Sequence, residues 1–305
     1  MGEQVGEEHA HLGAGHHHRL AVVGGDGEGA EDPEAHSGTW YGGKPTVSAP
    51  AHAEAMEMYF EEHGAGKGRP LVLVPAALSG IRTSYGLLLP LLAKNRRVVA
   101  IELPGHGRTP DCDGPYTVEG FAVEVVRLLD RLGLPRADVL GWGLGAAVAL
   151  RLGTHHPERA GRLVLASPAF DRGGLHPGLL DGAHHLRPEH LYGSELHEEY
   201  LRTATDPKGW DRLVTKMAVL DAHPPEWTAD QVRALRAAVL VVVGDADIVR
   251  PEHAVRMLRL LGGGVPGDLR GLPRCRLAIL PGTTHASLPQ RAELLAPMVD
   301  EFLDG

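Results

Sequence analysis

Cysteine is scarce: Cys112 and Cys275 are the only two in 305 residues, far apart and outside any C-x-x-C or Cys/His metal spacing. A disulfide framework is excluded, and the pattern fits a reducing compartment or simple indifference to redox state. Aromatic residues make up only 5% of the chain, so Ala, Leu and Val must fill most of the core. No basic segment followed by an apolar one marks the N-terminus, and no apolar run reaches the ~18 residues needed to cross a bilayer. The expectation is a soluble, cytoplasmic protein with no membrane partner. A Lys/Arg stripe with interleaved aromatics is also missing, and the formal net charge is −9, which argues against nucleic acid as a partner.

What is present is a chain with 43% hydrophobic residues, enough for one large α/β core with an insertion. Residues 1–52 stand apart: eleven glycines, seven histidines, and eight acids against Arg19 and Lys44. The short run Leu20-Ala21-Val22-Val23 is too little to bury a core, so this stretch reads as a disordered tail. His16-His17-His18 lacks a supporting carboxylate and reads as a solvated run, so no metal is assigned.

Beyond the tail, Met56 to Phe60 alternates like an edge strand, and Gly64 to Pro70 forms a turn-rich connection. Short apolar runs follow at Leu71 to Val74, Val98 to Ile101, Ala137 to Leu140, Leu163 to Leu165, Val239 to Val243 and Leu277 to Leu280. Their uniform hydrophobicity predicts interior strands of a parallel sheet buried on both faces. Amphipathic stretches at Val118 to Leu132, Leu144 to Gly153, Pro251 to Leu261 and Pro289 to Leu303 alternate with them. The expected fold is α/β, a doubly wound and mostly parallel sheet. The alternation pauses between Leu165 and Val239. The sequence therefore divides into a core of 53–169 and 226–305 and a helical cap of 170–225, covering a pocket.

Ligands of open α/β sheets sit at the carboxyl ends of the strands. Three loops stand there: Gly141-Trp142-Gly143-Leu144-Gly145, Gly244 to Pro251, and Pro281 to His285. The order elbow, acid, histidine, together with "RRVVAIELPGHGRT", "ADVLGWGLGAAVALRLGTHHPERAGRLVLASPAF", "LVVVGDADIVRPEHA" and "AILPGTTHASL", resembles the α/β-hydrolase superfamily, of the capped esterase, lactonase and C-C hydrolase type. The resemblance covers about four fifths of the chain, from Met56 to Leu303.

It implies Asp247 as the triad acid and His285 as the base, the carboxylate fixing the imidazole tautomer and stabilising the imidazolium. Asp245 is expected to cap the turn into the helix near Pro251. Taken singly, His285 also reads as a surface loop histidine and Asp247 as a capping acid. The chain departs from the family twice. Gly143 stands where the nucleophilic serine is expected, and Pro75-Ala76-Ala77 stands where relatives show His-Gly or His-Gly-Gly. The oxyanion donors implied are the Leu144 N–H, at the positive end of its helix, and an N–H of Ala76 or Ala77, with Trp142 in the substrate-binding turn. Ser79, Ser84, Ser167 and Cys112 are the remaining nucleophile candidates, none in an elbow.

Three readings stay open. The first is an enzyme acting on a small apolar ester, lactone or carbonyl compound by non-covalent His–Asp base chemistry, with no cofactor. The second is an inactive homologue that binds a small hydrophobic ligand. The third is a serine esterase inactivated by a Ser-to-Gly change.

Overall fold

The computed structural model describes residues 57–179 and 185–305. The expectations for residues 1–52, including the histidine run and Leu20 to Val23, lie outside them. Seven strands form one sheet: β1 (Phe60–His63), β2 (Leu71–Val74), β3 (Val98–Ile101), β4 (Ala137–Trp142), β5 (Ala160–Ala166), β6 (Val239–Ala246) and β7 (Arg276–Thr284). Their order is β1-β3-β2-β4-β5-β6-β7. Only β1 runs antiparallel, pairing Phe60 with Ile101 and His63 with Val98. All other neighbours are parallel.

Five of the six uniformly apolar runs form interior strands, with every residue of β2 and β3 buried. The sixth, Leu277 to Leu280, is in β7, an edge strand paired only with β6, so it is buried less than its apolar pattern suggests and Ile279 is exposed. Met56 lies outside the described residues; Glu57, Met58 and Tyr59, which share its alternating pattern, precede the first strand, and that strand begins at Phe60. The chain before it is engaged differently, with the Tyr59 N–H donating to Thr109 Oγ1 and the Tyr59 carbonyl accepting from the Glu102 N–H.

Helices cover both faces: α1 (Ile81–Tyr85), α2 (Leu89–Leu92), α3 (Val118–Arg131), α4 (Leu144–His155), α5 (Glu195–Thr203), α6 (Trp210–Ala222), α7 (Ala229–Arg233), α8 (Pro251–Leu260), α9 (Gly267–Arg270) and α10 (Ala292–Asp304). Helix α3 starts where Thr117 Oγ1 caps the Gly120 N–H at 3.0 Å. Its buried stripe of Val118, Phe121, Ala122, Val125, Leu128 and Leu129 joins one core cluster with α4 and α6. A second cluster, on the other face, gathers α1, α2 and α10. Between β5 and β6, the described residues form α5, α6, α7 and short 3₁₀ turns. Polar contacts tie this segment to the core: Glu199 on α5 accepts from Thr83, and Lys216 on α6 donates to Asp111.

Candidate active site

Strand β4 passes into α4 through one residue. Gly143 holds φ 55° and ψ −113°, a region that glycine adopts without the usual side-chain penalty. Its N–H donates to the Ala166 carbonyl at 3.0 Å. The flanking glycines are required for packing: a β-carbon at Gly141 would overlap the Gly145 carbonyl, and one at Gly145 would overlap that of Val74. The loop after β2 therefore lies directly against the start of α4.

The two other loops meet this turn. His285 follows β7, and Asp247 follows β6; His285 Nδ1 stands 3.2 Å from Asp247 Oδ1. The Asp247 side chain is fully buried, so its polar atoms need partners. Oδ1 also accepts from the Val249 N–H, and Oδ2 accepts from the Gly244 N–H and from Ser167 Oγ–H at 2.6 Å. Burial pushes the carboxyl upward, but the hydrogen bonds from His285 and Ser167 outweigh it and hold the pKa below the ordinary value. A carboxylate so held fixes the Nδ1–H tautomer, which leaves Nε2 free to take a proton.

The far side of the imidazole faces the elbow. A β-carbon on residue 143 would stand 3.3 Å from His285 Nε2 and 3.6 Å from Ala76 Cβ. Trp142 backs the ring, with centroids 5.4 Å apart, and its buried indole N–H has no hydrogen-bond partner among the described residues. The structure therefore brings together Gly143, His285, Asp247, Trp142 and Ala76.

The two alanines after Pro75 divide. The Ala76 N–H is committed to Ser84 Oγ at 3.2 Å. The N–H groups of Ala77 and Leu144 meet no acceptor among the described residues. Of the loop's two possible donors, Ala77 is thus the one left for a ligand.

Asp245 does not cap α8. Its Oδ1 accepts the Thr283 N–H at 3.1 Å, while the cap position of α8 belongs to Arg250, which makes no side-chain cap bond. The register shift between β6 and β7 at Gly244/Ala246 turns this side chain toward β7.

None of the remaining nucleophile candidates bonds to His285. Ser167 donates to Asp247, Ser79 and Ser84 bond to each other at 2.6 Å, and burial pushes the Cys112 thiol pKa up. The support that Ser167 gives Asp247 has no signal in the sequence, where Ser167 reads as a nucleophile candidate or as an ordinary cap, turn or loop residue. Its φ of 53°, unusual for serine, depends on backbone geometry that no motif encodes.

Two clefts elsewhere, of about 600 Å³ beside Arg256 and Arg259 and about 110 Å³ beside Asp111 and Arg212, are not lined by Gly143, His285 or Asp247. No helix among the described residues is long and apolar enough to cross a membrane.

Comparison with known proteins bears on the fold and the family. Over 110 residues the chain is 36% identical to the 2-hydroxymuconate semialdehyde hydrolase of Pseudomonas sp. (strain CF600), covering 35% of this chain and 39% of that relative. It is 28% identical to the pimeloyl-[acyl-carrier protein] methyl ester esterase of Edwardsiella ictaluri (strain 93-146) over 81% of this chain and 98% of the relative. The crystal structure of the enol-lactonase from Burkholderia xenovorans LB400 shares the fold at a TM-score of 0.63, with 18% identity, covering 82% of this chain and 97% of that one. The family profile of the alpha/beta hydrolases matches residues 63–297, and with the sheet order and the elbow already described it establishes that this chain belongs to the alpha/beta hydrolase family.

Proposed function

We propose that this protein is a hydrolase-type enzyme for a small apolar ester, lactone or related carbonyl compound, working without a covalent acyl intermediate. One observation carries the reading: His285 Nε2 faces the place where a residue-143 side chain would stand, while Nδ1 is held by Asp247. In a serine hydrolase a hydroxyl fills that place. In the proposed mechanism a water molecule takes the role of that hydroxyl.

The water oxygen attacks the carbonyl carbon, and its proton passes to His285 Nε2. The oxyanion that develops accepts from the N–H groups of Leu144 and Ala77. The carbon–oxygen bond to the leaving group then breaks, and the same proton moves from His285 to the departing alkoxide. Asp247 stays ionised throughout and stabilises the imidazolium. Loss of one triad member costs serine hydrolases on the order of 10⁴ to 10⁶ in rate, so turnover is slow beside a serine enzyme. The names of the relatives, a semialdehyde hydrolase, a methyl ester esterase and an enol-lactonase, support the carbonyl class and leave its members open. No cofactor enters the scheme, and the sparse cysteines favour the cytoplasm.

A second reading has its own support. Gly143 and Pro75-Ala76-Ala77 both depart from the hydrolase pattern, as expected of a homologue that binds a small hydrophobic ligand and no longer turns it over. A third, a deliberately inactivated esterase, accounts for Gly143 alone.

A panel of aryl esters, lactones and β-dicarbonyl compounds, tested on the unaltered Gly143 protein, Gly143→Ser and His285→Ala, separates the three. The proposal expects slow turnover by the Gly143 protein that His285→Ala removes. An inert Gly143 protein that retains a small apolar ligand supports the second reading. Strong activity in Gly143→Ser alone supports the third.

A further inference from the structure

The loop after β2 is anchored from two directions. Ser79 Oγ–H donates to the Ala76 carbonyl at 2.9 Å, and the Ala76 N–H donates to Ser84 Oγ at 3.2 Å. Because the Ser79 proton is spent on that carbonyl, the proton shared across the 2.6 Å gap between the serines belongs to Ser84. The bonds close a ring that uses both backbone groups of Ala76. Two residues on, the Leu78 N–H donates to His106 Nε2 at 3.1 Å. His106 Nδ1 lies 3.0 Å from the Pro104 carbonyl, which only accepts, so the proton is assigned to Nδ1 and Nε2 is the acceptor.

Leu78 needs that bond. Its φ is 61°, a left-handed conformation that is strained for a leucine and persists where neighbours over-determine it. Ala77 sits between the two anchors, and its N–H is the one that meets no acceptor among the described residues. The loop is close to the elbow, with Ala76 Cβ 3.6 Å from a β-carbon placed on residue 143.

We infer that His106, together with the Ser79–Ser84 pair, is a positioning residue for oxyanion binding: it holds the Leu78 turn so that the Ala77 N–H is presented beside Gly143. The inference rests on the assignment of Ala77 and Leu144 as oxyanion donors in the proposed function. Side-chain anchors thus do in this loop what glycine freedom does in a glycine-rich one. Burial pushes the His106 pKa down to about 4, so the ring stays a neutral acceptor at neutral pH.

The test uses kcat and KM on a p-nitrophenyl ester, with thermal unfolding in parallel, for His106→Ala, His106→Gln and Ser84→Ala in both the Gly143 protein and the Gly143→Ser background. Glutamine places an acceptor near the lost Nε2. In the Gly143→Ser background, His106→Ala should lower kcat about 100-fold, the scale of losing one oxyanion donor, with KM little changed. His106→Gln should recover most of the loss, and Ser84→Ala, which frees Ala76 from the other side, should lower kcat as well.

Equal damage in His106→Gln and His106→Ala, or an unchanged kcat in both His106→Ala and Ser84→Ala, overturns the inference. So does a Gly143→Ser protein with no turnover. If His106→Ala does not fold, the same comparison is made with His106→Gln and Ser84→Ala: full kcat in Ser84→Ala overturns the inference, and a kcat loss there with kcat retained in His106→Gln supports it. An inert Gly143 protein beside an active Gly143→Ser variant contradicts the water-based mechanism alone, because His106 still reads out in the latter.

Discussion

At Gly143 the backbone and the neighbouring ring both disfavour a side chain. The φ of 55° with ψ −113° strains any L-residue, and a β-carbon 3.3 Å from His285 Nε2 is tight enough to make the imidazole shift. Gly143→Ser should therefore lower stability by about 1–3 kcal/mol even as it adds a hydroxyl beside the base. Thermal unfolding of the two proteins checks this: the variant should melt lower, and an equal or higher Tm contradicts it. The loops that carry Gly143, Asp247 and His285 stand out in the sequence because each follows an apolar run, but the pairing of Asp247 with His285 rests on the family resemblance and not on the pattern alone. Ser167, His106 and the Ser79–Ser84 ring do not stand out, because their roles depend on partners brought close only by folding: His106 is 28 positions from Leu78, and Ser167 is 80 from Asp247.

Among the elements, α5 and α6 are tied to the core by carboxylates. Glu199 on α5 accepts from the N–H and hydroxyl of Thr83 at the start of α1. Asp111, in the loop after β3, accepts from Arg212 at 2.6 Å, Lys216 at 2.9 Å and Tyr116 at 2.6 Å. Burial pushes the Asp111 pKa up, but these donors more than offset it, so the pKa is lowered overall. Their support is present above about pH 4 and is lost as the pH falls through the lowered value. At neutral pH, Asp111→Asn should loosen α6, with amides of residues 210–222 exchanging hydrogen faster while those of β4 and β5 keep their protection. Unchanged exchange in α6 contradicts that. The strands and long helices follow from sequence periodicity, whereas these ties do not: Asp111 and Lys216 are 105 positions apart, and neither belongs to a motif.

For the molecule as a whole, two buried histidines set the acid response. His106 and His253 are both pushed down to about 4 by burial, and His253 Nε2 accepts the Phe170 N–H. The unfolded chain binds these protons from about pH 6.5, the folded chain only near 4, so stability declines as the pH falls through that window. Asp221 acts in the opposite sense: burial raises its pKa to about 6, so the folded protein gains stability as this group protonates below 6. Urea unfolding from pH 7.5 to 4.5 should show a loss of stability toward acid, steeper in Asp221→Asn, which should also be more stable at neutral pH. A flat profile in the unaltered protein contradicts this balance.

The central claim is that His285, held by Asp247, acts as a base without a serine. It is tested most directly by the steady-state hydrolysis rate of a reactive aryl ester at pH 7.5 for the unaltered protein and His285→Ala, with intact-protein mass recorded during turnover. The account predicts slow turnover by the unaltered protein, a fall of about 100-fold or more in the variant, and no acyl adduct on either. Equal rates in the two proteins, or an acyl adduct accumulating on the unaltered one, would contradict it.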